Sequence, residues 1–316
     1  MKKFILRTFL LILPLLLLLT AAEMYLRSLP NPSRAKNAWL IAHADSVEVL
    51  ILGSSHSYYG LTPEVFGPKA YNAAQVSQTL RYDNFILDHY AFRSLRTVIL
   101  PISDFSFHED FEHDADWYYA SRYRLYMGCD YHSWLSRYGF EFCSMPTFRE
   151  RLKTLWQPAR LTWSALGQGT DYTLAQKPKD WNNAEARARN NTYRDAKNVA
   201  LNEAFFRQLI QTVTQRYHAR LVLISTPLTA HYRACQYAPQ VRAMEARIRR
   251  AVQSHPRVSY FDFRADTDFT ANDFYDADHL TLEGAEKLSK KLRAQLVQES
   301  VAAGGTPLPP RHKEQQ

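Results

Sequence analysis

Short, nearly continuous apolar runs recur along the chain, and longer segments with helical periodicity separate them. The runs lie at residues 47–52, 95–102, 221–225 and 258–263, with a weaker candidate at 70–73. Strands of this composition are buried on both faces, which is typical of a parallel sheet covered by helices. The alternation therefore predicts an α/β chain with a doubly wound parallel sheet of about five strands.

Amphipathic helices fill the segments between the later strands. Phe206, Leu209, Ile210 and Val213 have the spacing of one helix face, and residues 241–252 repeat the pattern. In doubly wound sheets the functional residues lie beyond the carboxyl ends of the strands. The residues that directly follow each apolar run are therefore the candidates for chemistry.

The N-terminus has the order of an export signal. Lys2, Lys3 and Arg7 precede an uninterrupted apolar stretch at 9–19, as in a signal peptide or a signal anchor. A bilayer needs about 20 apolar residues, and this segment is long enough. We favour an uncleaved anchor over residues 1–29, with a single span, although Ala22 could also precede a cleavage site.

The remaining organisation follows from composition. The chain has 316 residues, of which 30–296 are predicted to form one α/β domain. A mostly helical and loop insertion at 104–198 is predicted to interrupt this domain after the third strand. The Gly- and Pro-rich residues 297–316 are predicted to be a disordered tail. In an exported chain Cys129 and Cys143 are a candidate disulfide pair, but the sequence does not establish their pairing.

The charge balance helps to exclude some partners. The formal net charge is +8, but no aromatic-interleaved basic patch or nucleic-acid motif accompanies it, so no nucleic-acid partner is predicted. The acidic and histidine-rich residues 108–116 lack a recognised ligand spacing and are interpreted as a solvated loop. No metal and no cofactor are predicted.

Three residue types needed for nucleophilic acyl chemistry follow the first and last strands. Ser55 follows the first run, and Asp276 and His279 precede the last helical pattern. A serine hydroxyl is a weak nucleophile until a histidine removes its proton, and a carboxylate must hold that histidine in the right tautomer. Asp278 is a competitor for the carboxylate role, but we favour Asp276 and interpret Asp278 as a loop or cap residue.

On these residues the chain resembles the SGNH (GDSL-like) hydrolase and acyltransferase superfamily. Gly53-Ser54-Ser55 is similar to the first block, with Ser55 as the nucleophile, and Asp276-Ala277-Asp278-His279 is similar to the last block. The resemblance implies a flavodoxin-like sheet and an oxyanion hole. Its donors would come from Ser55, from Ser77 at the glycine position of the second block, and from Ser103 in place of the third block's asparagine.

Three further residues are candidates for lining the site. His56 adjoins the nucleophile and is expected to bond backbone near a helix start, although it could also contact substrate. Asn72 and Gln78 belong to the stretch that resembles the second block. Both are expected to hold that turn by hydrogen bonds, and Gln78 facing the site is the less favoured alternative.

The resemblance is strongest to membrane-anchored bacterial proteins of envelope modification, similar to the D-alanyl transfer protein DltD and the alginate O-acetylation proteins. It implies a serine acyltransferase or esterase at the inner membrane that acts on acyl or acetyl groups of an envelope polysaccharide, with its catalytic domain on the extracytoplasmic side. A multi-span acyl-exporting membrane protein is the implied partner. The alternative is a non-catalytic scaffold of a polysaccharide assembly or acylation complex.

Overall fold

A computed structural model describes residues 1–113, 117–130, 133–137, 139–141, 153–156 and 161–302. Cys143, half of the candidate disulfide, and residues 303–316 of the predicted tail lie outside these ranges. The described α-helices are α1 Lys2–Ser28, α2 Pro32–His43, α3 Ser55–Tyr58, α4 Leu80–His89, α5 Tyr118–Met127, α6 Trp134–Arg137, α7 Ala184–Asn190, α8 Val199–Gln211, α9 Ala230–Cys235, α10 Ala238–Ser254 and α11 Leu282–Ala302.

The predicted sheet is confirmed. Its strands are β1 Val49–Ile51, β2 Ala70–Asn72, β3 Thr97–Pro101, β4 Arg220–Ser225 and β5 Val258–Asp262. All neighbouring strands pair in parallel, in the order β2-β1-β3-β4-β5. This is the flavodoxin-like order, in which the carboxyl ends of β1 and β3 flank the point where the winding direction reverses.

The hydrophobic core explains why these runs form strands. Every residue of β1, β2 and β3 is buried, as expected for strands covered by helices on both faces. Ile51, Ile99 and Val222 pack in one cluster with Leu288 and Leu292 of α11. Each such side chain contributes about 1.5–3 kcal/mol through burial, so the core fixes α11 and the loop before it against the sheet.

The chain divides into two compact units. Unit 1 contains 1–35 and 111–161, and unit 2 contains 36–110 and 162–316. Within unit 1, α1 has a mean hydropathy of 2.4 over its most apolar window and is long enough to cross a membrane, a pattern that a signal sequence shares. The backbone N–H of Glu141 donates to Glu23 Oε1 at 3.1 Å, and so the segment after α6 contacts the end of α1.

Unit 2 contains the whole sheet and all the candidate site residues. Its last helix, α11, continues to Ala302, and the predicted tail therefore begins later than residue 297. The predicted insertion does not coincide with one unit, because residues 162–198 belong to unit 2. One helix of that stretch, α7, contributes to the site described next.

Candidate active site

Ser55 is presented by a sharp turn after β1. Gly53 has φ 106°, and a Cβ on it would lie 2.6 Å from Ser57 Oγ, so only glycine fits this turn. Helix α3 begins at Ser55, and the N–H groups at the start of a helix have no hydrogen-bond acceptor within the helix itself. Ser55 therefore stands partly exposed at the carboxyl edge of the sheet, at the start of a helix.

The structure brings Ser55, His279 and Asp276 together. His279 Nε2 lies 2.8 Å from Ser55 Oγ, and His279 Nδ1 lies 3.0 Å from each carboxylate oxygen of Asp276. Two backbone N–H groups of the same loop, those of Asp278 and His279, donate to Asp276 Oδ1 and hold the carboxylate in place. The spacing is that of a serine nucleophile, a general base and its orienting carboxylate.

The surroundings of Nδ1 determine the tautomer of His279. Besides Asp276, Asp278 Oδ1 lies 3.5 Å from Nδ1, and an Arg187 amino group lies 3.0 Å from it. Carboxylate oxygens outnumber the guanidinium donor, so they favour a proton on Nδ1. Nε2 then carries the lone pair that accepts the hydroxyl proton of Ser55.

The same charges tune the base. Burial alone lowers the pKa of His279, but the negative charges of Asp276 and Asp278 outweigh burial and raise the pKa above its ordinary value. A raised pKa makes the neutral imidazole a stronger base. It also means that the base is fully deprotonated only on the alkaline side of the usual histidine range.

Two backbone donors lie open near the nucleophile. Ser77 has φ 55°, a left-handed conformation that favours glycine and that fits its place at the glycine position of the second block. Within the described ranges, neither the Ser55 N–H nor the Ser77 N–H donates to another residue. Both are therefore available to an oxyanion.

Ser103, the third predicted oxyanion residue, is engaged elsewhere. Its hydroxyl lies 2.7 Å from His56 Nδ1, and its backbone N–H donates to Ser106 Oγ at 3.0 Å. Both of its hydrogen-bond donors have partners in the resting site. This arrangement does not favour the role that the resemblance implied for Ser103.

Asn72 and Gln78 support the site from behind rather than line it. Both are buried. Asn72 accepts from the N–H of Ala74 and donates to the carbonyl of Ser57. Gln78 donates to Asp83 Oδ1 at 2.7 Å, and the same oxygen accepts from the N–H of Gly53 at 2.8 Å. The second block is thus tied to the turn that carries the nucleophile.

His56 and Asp278 differ from their predicted roles. His56 bonds two side chains instead of backbone, because its Nε2 lies 3.2 Å from Asp278 Oδ2. Asp278 is not a solvated loop or cap residue, since it is 1% exposed and accepts from Arg187 Nε and Nη2 at 2.7 and 3.0 Å. The guanidinium and both histidines offset the cost of burying this carboxylate and hold its pKa well below the usual range.

Arg187 of α7 is a site residue that sequence reasoning missed. It lies in the predicted insertion, far along the chain from Asp278, and α7 is short and polar. Burial alone would lower the pKa of Arg187, but Asp278 raises it. Nothing in the sequence near Arg187 indicates that its side chain pairs with Asp278.

A stack of tyrosines also adjoins the base. The rings of Tyr59 and Tyr172 are 3.6 Å apart, and those of Tyr172 and Tyr275 are 3.8 Å apart. Tyr172 meets the His279 ring edge-on at 5.6 Å. The ring of Tyr59 also meets that of His279 edge-on, with 6.2 Å between centroids.

The side chains of His56, Asp278 and His279 lie close enough together to surround a metal ion. Their donor chemistry does not suit one, because the nitrogens are bonded to Ser103, Ser55 and carboxylates, and Arg187 places a positive charge against Asp278. The acidic cluster that begins at His108 is partly outside the described ranges. Its Asp110 is buried and lies 3.7 Å from Arg81, so this part of the loop is not solvated.

No family model and no curated protein matches the sequence. Among solved structures, the chain is similar to a protein provisionally described as a platelet activating factor, from Streptococcus pneumonia. The TM-score is 0.44 and the identity 12%, over 90% of this chain and 98% of that one.

Proposed function

We propose that this chain is a membrane-anchored serine acyltransferase or esterase that acts on acyl esters of an envelope polysaccharide. The observation that carries the proposal is the hydrogen-bonded chain from Ser55 through His279 to Asp276. The resemblance to the SGNH superfamily in the first and last blocks supports the reaction class. The apolar α1 supports an anchor, with the site on the extracytoplasmic side of the inner membrane.

In the first half of the proposed reaction, the acyl group is transferred from the donor to Ser55. Ser55 Oγ attacks the acyl carbonyl carbon while His279 Nε2 takes the hydroxyl proton, and Asp276 stabilises the imidazolium. The N–H groups of Ser55 and Ser77 bind the oxyanion. The leaving alcohol then takes the proton from His279, and the acyl group remains as an ester on Ser55.

The second half of the reaction decides between transfer and hydrolysis. A sugar hydroxyl or a water gives its proton to His279 and attacks the acyl-Ser55 carbonyl, which releases Ser55. Both acceptors use the same residues. An acyl-exporting multi-span membrane protein is the partner we propose as donor.

Covalent labelling tests the nucleophile. A fluorophosphonate probe should label purified full-length protein at Ser55, and labelling should disappear in Ser55→Ala and fall by about 10³-fold or more in His279→Ala. Asp276→Asn should lose about 10³–10⁴-fold, because the amide favours the wrong tautomer. Peptide mapping of the labelled residue and circular dichroism of each variant are the controls.

The scaffold alternative makes the opposite prediction. The engaged donors of Ser103 are the feature that favours it, since they remove one of the three oxyanion donors that the resemblance implies. Native protein that is folded and yet unlabelled would support the scaffold. If labelling occurs, the decay of an acetyl-Ser55 ester with and without an oligosaccharide acceptor separates the transferase from the esterase.

A further inference from the structure

A second serine, histidine and aspartate chain lies directly behind the first. His56 is 4% exposed, and it bridges Ser103 Oγ at 2.7 Å and Asp278 Oδ2 at 3.2 Å. Its ring meets the ring of His279 edge-on, with 4.8 Å between centroids. This chain links three loops: the nucleophile turn, the loop after β3 and the loop before α11.

The direction of its protons follows from Asp278. Arg187 binds both oxygens of Asp278, so the carboxylate is ionised and only accepts hydrogen bonds. His56 Nε2 must then be a donor. In a neutral imidazole Nδ1 is consequently an acceptor, and the single hydroxyl proton of Ser103 points to it. Burial supports the neutral form, since it lowers the pKa of His56.

The same bridge restrains Asp278. One of its oxygens is only 3.5 Å from His279 Nδ1, against 3.0 Å for Asp276. A small rotation of the carboxylate would let it compete with Asp276 for the Nδ1 proton. His56 holds Oδ2 and Arg187 holds both oxygens, and these bonds oppose that rotation.

We infer that His56 is a positioning residue that holds Asp278 away from His279 and holds the hydroxyl of Ser103 away from the acyl oxygen. The inference rests on the proposed function and refines its site. His279 is then left to pair with Asp276, and the oxyanion is left to backbone N–H groups. The groups that face His56 are Ser103 and Phe105 after β3, Asp278 and His279 before α11, and, through Asp278, Arg187 of α7.

Two amide variants of similar size separate the bonds of His56. The amide of His56→Gln reaches the position of Nε2 and can still donate to Asp278. The amide of His56→Asn reaches the position of Nδ1 and can accept from Ser103, but it removes the His56 donor from Asp278 Oδ2 and leaves that oxygen to Arg187 Nη2 and Asn191 Nδ2. Both are neutral amides, but only glutamine is close in volume to histidine, so circular dichroism of each variant is the folding control.

The measurement is the rate constant for labelling of Ser55 as a function of pH. In His56→Asn the carboxylate of Asp278 is less restrained and can move closer to His279 Nδ1, where its negative charge stabilises the imidazolium more strongly. The acid limb of the profile should therefore move to higher pH by about one unit, and the rate near neutral pH should fall about 10-fold. His56→Gln should keep the midpoint of the native protein. Ser103→Ala should lose less than about 5-fold, against the 10²–10³-fold expected for an oxyanion donor.

A second measurement does not depend on reactivity. The pKa of His279, followed by NMR of its ring, should rise in His56→Asn and stay at the native value in His56→Gln. An unchanged pKa in His56→Asn, or a 10²-fold loss in Ser103→Ala, overturns the inference. Native protein that fails to label while the NMR shift occurs overturns the proposed function and leaves the positioning role intact.

Discussion

At the scale of single residues, buried ionisable groups concentrate around the nucleophile turn. Asp83 lies beneath the turn and accepts from Gly53 and Gln78, while Asp278 lies behind it. The two carboxylates are stabilised differently. Asp278 is ionised because two histidines and a guanidinium surround it. Burial raises the pKa of Asp83 to about 7, because its effect is larger than the lowering effect of the hydrogen bonds from Gln78 and Gly53.

Asp83 should make the folded state sensitive to pH. Its folded pKa of about 7 lies above the value of about 3.9 in an unfolded chain, so stability is greatest when Asp83 is protonated and falls as the pH rises from about 4 to about 7. Asp83→Asn keeps the one oxygen that accepts both bonds. The variant should therefore gain up to about 2.5 kcal/mol at pH 8 relative to pH 5.

Denaturant unfolding of the native protein and Asp83→Asn at pH 5 and pH 8 measures this difference. Asp88→Asn, an exposed position on the same helix, is the matched control and should show no comparable gain. Equal pH dependence in the native protein and Asp83→Asn would contradict the assignment of the raised pKa to Asp83.

At the scale of elements, the turns after the strands hold the site, and their backbone geometry is as specific as their side chains. The two turns next to the nucleophile each contain a left-handed residue, Gly53 with φ 106° and Ser77 with φ 55°. Serine is strained in this region by about 1–2 kcal/mol relative to glycine. The second turn is therefore under conformational strain at Ser77, the residue whose N–H we propose as an oxyanion donor.

Ser77→Gly should relieve that strain. Glycine also increases the freedom of the unfolded chain, at a cost of about 0.4–1 kcal/mol, so the net gain in unfolding free energy should be about 0.5–1 kcal/mol. Labelling of Ser55 should continue, because the variant keeps the N–H. Gly53→Ala is the control of opposite sign, since its Cβ would meet Ser57 Oγ at 2.6 Å. A destabilised Ser77→Gly would contradict the strain.

Elements of this fold were predictable where their patterns are local. The five strands and the helix after His279 are marked by apolar periodicity, and Ser55, Asp276 and His279 follow from the shared edge of parallel strands. Partners across long sequence distances were not predictable. The contact of Arg187 with Asp278 and the bridge from His56 to Ser103 depend on how the loops fold over the edge, which no periodicity encodes.

At the scale of the whole molecule, the sheet with the candidate site belongs to one compact unit and the apolar helix α1 to the other. Helix α1 is exposed along the window that could cross a membrane, whereas Glu23 and Leu26 near its C-terminal end are buried. A helix that is apolar all round and exposed in isolation needs another apolar environment. A bilayer provides one, and the position of the buried residues is consistent with a span that ends near residue 22.

Extraction from membranes tests this anchor. The full-length protein should remain in the membrane pellet after a carbonate wash, with an intact mass that includes the N-terminal helix. Leu15→Arg combined with Leu17→Arg should weaken insertion by about 5 kcal/mol or more and release the protein. A soluble native product that begins at Glu23 would show instead that the segment is a cleaved signal.

The ion pair between Arg187 and Asp278 joins helix α7, in the stretch between β3 and β4, to the loop that contains Asp276 and His279. Loss of Arg187 removes the guanidinium partner of a carboxylate whose side chain is 1% exposed, at a cost of up to about 3–5 kcal/mol. Among descendants of a common ancestor, these two positions should therefore change together or not at all. If the loop from Asp276 to His279 were transplanted into another protein, α7 would have to be transplanted as well, because Arg187 pairs with Asp278.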